Sequence, residues 1–250
     1  MSETGDRNII RIDDLEQPIF RIYSKERFLR GVAKGRDALR NPSCWHDPFE
    51  NFFLTRTQVA VNGDLADLKT VARDWYGQCW TTNSNTDAMW RIYSPNQTGI
   101  QAKTTIRKLF KNLRSVPSQT PQLQFFVGRV EYMCQAEITA LLNTLTFYDA
   151  ASGGQGHNFA KLLCIKREAF RHEAEIRILF QDIDDPPQGV NGIFVYPLDA
   201  NALFDEIVLD PRLQDAAATE LESELRAAGC TTPIQRSDLY TAPHFVIPAQ

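Results

Sequence analysis

Cysteine is scarce in this chain and shows no pattern. The five thiols, Cys44, Cys79, Cys134, Cys164 and Cys230, are odd in number and widely spaced among 250 residues. No C-x-x-C pair or Cys/His ligand spacing occurs, so neither a disulfide framework nor a structural zinc site is supported. Cys44 and His46 flank a tryptophan, but two potential ligands without a second pair do not make a metal site. Long apolar runs are missing as well, since none approaches the roughly 18–20 residues of a membrane helix. The first residues, Met1 to Arg7, lack the apolar core of a signal peptide, and a cytoplasmic protein with no membrane partner is expected. Positive charge is not in excess. At a net charge of −4, no overall basic field draws the chain to nucleic acid or anionic membrane. Lys103, Arg107, Lys108, Lys111 and Arg114 form one local basic strip, read first as a solvated helix face.

What is present is an ordinary globular composition, 43% hydrophobic and 23% charged, long enough for one large domain or two small ones. The most informative stretch is Phe170 to Phe180. There Glu173, Glu175 and Arg177 alternate with apolar residues, continuing through Ile176, Ile178 and Phe180. Successive strand side chains point to opposite faces, so the spacing predicts two carboxylates and a guanidinium on one face and a core anchor on the other. Such a charged row beside a core strand is either a functional site or a solvated face of paired Glu and Arg.

Along the chain, Ile19–Tyr23 reads as a strand, followed by Ser24 as a helix N-cap and Gly35 as a helix stop. The spacing of Leu65, Leu68, Val71, Ala72 and Trp75 predicts a helix capped by Asp64 and ended by Gly77, then a strand from Gln78 to Thr81. A short helix carries Met89, Trp90 and Tyr93. A strand is expected over Leu123–Tyr132, helices over 135–149 and Phe159–Arg167, and strands at Ile193–Tyr196 and Glu206–Leu209. A last helix at about 213–228 precedes a short strand near Ile234. Ser152 to His157 is Gly-rich but lacks the Gly-Lys-Ser/Thr ending of a phosphate-binding P-loop. With many strands and no regular βαβ alternation, the expected fold class is α+β, a mixed and mostly antiparallel sheet with flanking helices. Residues 1–18 read as an N-terminal extension and 19–250 as a single domain.

Four boxes occur in order: Asp47-Pro-Phe-Glu50; Cys79-Trp-Thr with Ala88-Met-Trp-Arg-Ile-Tyr93 and Gly99; His172-Glu-Ala-Glu-Ile-Arg177; and Glu206-Ile-Val-Leu-Asp-Pro-Arg212. Together they resemble the bacterial domain-of-unknown-function family numbered 2971, over about Ile19 to Tyr240. His46, Thr81, Asp210 and Pro95 depart from the family pattern, and that family implies no activity. A second resemblance carries more chemistry. Arginine on a first strand (Arg21), a hydroxyl at a strand end (Thr81, Thr82) and Glu173-Ala-Glu175 at a late strand resemble the R-S-E layout of ADP-ribosyltransferases.

That second resemblance implies NAD as substrate and a macromolecular acceptor, protein or nucleic acid, in a toxin or antiphage effector. Cleavage of the nicotinamide–ribose bond passes through an oxocarbenium-like sugar, which one fixed carboxylate, Glu175, would stabilise. Glu173 would orient or activate the acceptor, Arg21 would hold the pyrophosphate or a ribose hydroxyl, and Thr81 or Thr82 would support the ribose. Tyr93 or Trp90 could stack on nicotinamide, with core packing the plainer role for Trp90. Asp47 and Glu50 are candidate substrate contacts, as is Arg177, whose plainer role is neutralising the two glutamates. Two alternatives stay open: a metal-dependent nuclease or phosphoesterase with Asp47, Glu50, Glu173 and Glu175 as oxygen ligands, and a non-catalytic binding or regulatory module.

Overall fold

In the computed structural model, residues 7–45, 58–61, 64–67, 73–117, 124–144 and 156–246 are described. The chain begins with β1 (Ile9–Ile10) and β2 (Pro18–Tyr23), then α1 (Lys25–Lys34) and β3 (Arg36–Arg40). The Ser24 side chain accepts from the Arg27 N–H, and Gly35 closes α1 in the left-handed region at φ 60°, a conformation that glycine adopts without a Cβ penalty. A hairpin of β4 (Gln58–Val61) and β5 (Asp64–Asp67) precedes β6 (Trp75–Thr81), α2 (Asp87–Tyr93), β7 (Ile100–Thr105) and α3 (Ile106–Arg114). Next come β8 (Phe125–Arg129), β9 (Glu131–Met133), α4 (Gln135–Thr144), α5 (His157–Leu162) and β10 (Ile165–Arg167). A 3₁₀ turn (Glu168–Glu173) leads into β11 (Glu175–Gln181). The chain continues with β12 (Ile193–Pro197), α6 (Ala200–Leu203), β13 (Glu206–Leu209), α7 (Asp215–Ala227) and β14 (Ile234–Arg236).

Among the described residues, ten strands form one sheet in the order β1-β8-β11-β6-β2-β7-β13-β14, with β3 pairing β6 and carrying β12. Its pairings are antiparallel except β1 with β8 and β13 with β14. The class is therefore α+β with a mixed, mostly antiparallel sheet. Strand β11 shows how alternation builds the core: Ile176, Ile178 and Phe180 join one hydrophobic cluster, and Leu179 joins another on the opposite face. Both faces being covered, β6 has no polar side and reads as a nearly unbroken buried run.

That double burial explains one difference from the sequence reading. The helix expected from Asp64 to Gly77 is absent at both ends: Asp64–Asp67 is strand β5, and Trp75 to Gly77 open β6. Gly77 is no helix stop. A Cβ there would lie 2.6 Å from the Trp45 ring, so the glycine lets an indole lie against a strand. The helix expected over Phe159–Arg167 likewise ends early, because Ile165–Arg167 pair in parallel with Glu131–Met133. The basic strip divides between β7 and α3; Lys103 pairs with Glu206, Arg107 with Glu16 and Lys108 with Asp205, as on a solvated face. Among the described residues no helix is long and apolar enough to cross a membrane.

Candidate active site

Strand β6 is central, yet its neighbours on one side diverge. β2 meets it at Phe20↔Thr81 and β3 at Arg40↔Gly77. Between those contacts the sheet is split, and a cavity of about 560 Å³ opens there, within the range typical of small-molecule sites. The Arg21 guanidinium bridges the split by donating to the Cys79 carbonyl of β6. Its Nε has no hydrogen-bond partner among the described residues.

The cavity carries charge of both signs along β6. Arg40 lies level with Gly77, and Glu175 of β11 lies level with Thr81, about 13 Å apart at the strand rise per residue. Arg21, Arg27 and Arg40 line it, and so do Glu173, Glu175 and Lys166. Arg27 is braced from behind by buried Asp37, 2.8 Å away, which also accepts from Gln78 and Ala38.

At the acidic end, Glu175 is 2% exposed. Arg177 Nε donates to its Oε1 at 2.7 Å, and Lys166 Nζ reaches its Oε2 at 3.3 Å and Glu173 Oε2 at 2.6 Å. Burial pushes the Glu175 carboxyl up. The charge and hydrogen bond of Arg177, with Lys166 and a Cys79 hydrogen bond, outweigh it and bring the carboxyl down to about 2. Glu175 is thus ionised at neutral pH. The Tyr132 hydroxyl accepts from the Glu175 N–H, and burial pushes that phenol up to about 12.

Glu173 and Glu175 do not share a strand face as the alternation suggests. Glu173 ends the 3₁₀ turn, Ala174 adopts the left-handed region at φ 43°, and only then does β11 begin. The turn is held from β6: the Thr81 hydroxyl donates to the Glu173 carbonyl at 2.5 Å, Thr82 N–H to the Ala174 carbonyl, and Asn83 Nδ2 to the His172 carbonyl at 2.7 Å. Both threonine hydroxyls therefore bond protein backbone, and Thr81 but not Thr82 lines the cavity.

Arg21, Thr81, Tyr93, Glu173 and Glu175 are thus brought to one cavity. Two other candidates are elsewhere. Trp90 is fully buried, its indole N–H donating to Asn85 Oδ1. Arg177 is also fully buried, donating to Glu175 and the Leu163 carbonyl under the Trp45 ring. Asp47 and Glu50 lie outside the described residues, within which no group of three His, Cys, Asp or Glu side chains could hold a metal. Lys166, Arg27 and Arg40 are site residues that sequence reasoning missed. Phe170, 4.7 Å from the Lys166 Nζ, also lines the cavity.

The fourth sequence box has a structural task. Arg212 donates to buried Asp210 and to the Trp90 and Ser94 carbonyls, and Ser94 Oγ donates to Asp210 at 2.5 Å. This clamp fixes the C-terminal end of α2, from which Tyr93 reaches the cavity. Burial, then the charge of Glu173, raises the Tyr93 phenol above its ordinary value.

A buried acidic pair, two bracing cations and a split sheet define the class of site. The model of the family described as "Protein of unknown function (DUF2971)" matches residues 89–178, bearing out the resemblance drawn from the boxes in that span. No curated protein matches the chain significantly. Solved structures similar to it include the DarT protein of Thermus sp. 2.9 in complex with NAD+, at 12% identity and a TM-score of 0.42, covering 92% of this chain and 100% of that one. The same protein in complex with ADP-ribosylated ssDNA also matches, at 12% identity and a TM-score of 0.42 over 92% of this chain and 99% of that one.

Proposed function

We propose that this protein cleaves the nicotinamide–ribose bond of NAD and passes ADP-ribose to a protein or nucleic-acid acceptor, or to water. The observation that carries the reading is that Arg21 and Glu175, from β2 and β11, line one cavity together with Arg27, Arg40 and a second carboxylate, Glu173. NAD offers partners for both kinds of group, a cationic nicotinamide ring and an anionic diphosphate on either side of one ribose. Arg21, with Arg27 and Arg40, suits the diphosphate, because a planar guanidinium meets phosphate oxygens in pairs.

Glu175 suits the sugar. As the C1′–N bond breaks, its electron pair leaves with nicotinamide and positive charge grows on the ribose. A carboxylate already ionised, braced and dry stabilises that charge without reorganising. The acceptor then forms the new bond to C1′, and Glu173 takes its proton and returns it to solvent. Tyr93 and Phe170 offer aromatic surface for the nicotinamide ring. A metal-dependent reading is disfavoured by Lys166 and Arg177, which already neutralise the two glutamates. Uncontrolled consumption of NAD harms a cell, so a toxin or antiphage effector is the biological role we favour.

Radiolabelled NAD and purified protein test the reading. Nicotinamide release is expected, with Glu175→Gln slower by roughly 10²–10³, the usual loss when one preorganised electrostatic contact is removed. No release with any acceptor class, or an unaffected Glu175→Gln, would remove it.

A further inference from the structure

We propose that Lys166 is a positioning residue of the candidate site, holding Glu173 and Glu175 ionised together on one cavity wall. Its Nζ is the shared contact between the two carboxylates, 2.6 Å from Glu173 Oε2 and 3.3 Å from Glu175 Oε2. The lysine side chain is 5% exposed, and the glutamates 9% and 2%. Two carboxylates this close and this dry cannot both ionise unless a cation sits with them; otherwise one keeps its proton. Of the two carboxylates, it is Glu175 that Arg177 meets, through Nε and Nη2. Lys166 therefore makes the balance come out: two anions, two cations, none exposed enough for water to replace a partner.

The placement has a second consequence. Lys166 comes from β10, whose parallel pairing with β9 lies outside the main sheet. The lysine thus adds a side-chain link between the 3₁₀ turn carrying Glu173 and β11 carrying Glu175, beside the backbone that joins them through Ala174. Among the described residues, the other titratable or charged groups around the pair are Cys79 of β6, Tyr93 of α2, Tyr132 of β9, Cys164 just before β10, Arg177, and Arg21 across the cavity. Among the described residues none of these adds a second cation to Glu173.

For its catalytic consequence the proposal rests on the NAD reading; for the ionisation itself it does not. The experiment therefore has two arms. In the first, glutamate carboxyl groups are followed by ¹³C NMR against pH without NAD, in the wild type, Lys166→Met, Lys166→Arg and the Lys166→Met/Glu173→Gln double variant. Lys166→Met should move one carboxyl titration up by at least about one pH unit, as expected for a like-charge pair. Lys166→Arg should not, and the double variant, again one anion to one cation, should restore the low titration of Glu175. In the second arm, the acid limb of nicotinamide release should move with the carboxyl titration, costing Lys166→Met about tenfold per unit below it.

If the wild type releases no nicotinamide while the titration moves, the NAD reading fails and the assignment of Lys166 stands. Coincident titrations in Lys166→Met and wild type overturn the assignment alone. Should Lys166→Met lose its fold, rescue of its melting temperature by Glu173→Gln becomes the deciding result; absence of rescue counts against the proposal.

Discussion

The hydroxyl of Thr81 donates to the carbonyl of Glu173, 92 residues away, across a buried 2.5 Å hydrogen bond. Strand β6 thereby holds the turn that presents one of the two site carboxylates. Thr81→Val keeps the shape and leaves that carbonyl without its buried donor, at about 1–3 kcal/mol. Thr81→Ser keeps the bond. Urea unfolding should separate the two variants by most of that figure, and equal stabilities would mean the bond does not anchor the turn.

Acid should unfold this protein partly through Glu175. Its carboxyl is held down to about 2 in the fold, against roughly 4.3 in an unfolded chain. A depressed value means the unfolded state binds the proton first as pH falls. The stabilisation is therefore complete above the ordinary value and is lost between about pH 5 and pH 2, on the order of 3 kcal/mol in all. Unfolding free energies measured across that window should fall less steeply for Glu175→Gln than for wild type. Parallel slopes would show that another group carries the acid sensitivity.

Removing Arg212 should destabilise the protein from a distance. Asp210 is fully buried, and without the guanidinium its charge keeps Ser94 and a backbone N–H as partners. Breaking a buried pair costs about 3–5 kcal/mol; Arg212→Ala should fall at the lower end because the arginine side chain is 15% exposed. Arg212→Lys should recover only part, since a point charge cannot reach the Asp210, Trp90 and Ser94 acceptors together. Chemical denaturation of both variants decides it, and a loss below about 1 kcal/mol would contradict the clamp.

Much of the local structure was legible where one residue dictates one conformation. Ser24 and Gly35 bracket α1, and the Ile176, Ile178, Phe180 alternation marks β11. Legibility fails where tertiary burial overrides pattern. β6 carries no alternation because both faces are covered, and β3, with Arg at both ends, has no apolar signature. The acidic pair was visible in the sequence, but its setting was not. Lys166 lies in a stretch whose helical spacing hides a strand, and it reaches the carboxylates only through the pairing of β10 with β9. Trp90 illustrates the converse: beside Tyr93 on a seven-residue helix, it points into the core while Tyr93 lines the cavity.

The absence of a side chain at position 77 reaches further than its own strand. Trp45 occupies the room it leaves, and the same indole covers the Arg177 guanidinium at 4.6 Å. Any larger residue there would push the ring aside and let solvent reach the arginine that neutralises Glu175. Water screens charge far better than protein does, so the acidic wall would lose strength although none of its own members had changed. Glycine 77 is in this sense the insulation of the site: the electrostatics of β11 are maintained by an empty volume on β6.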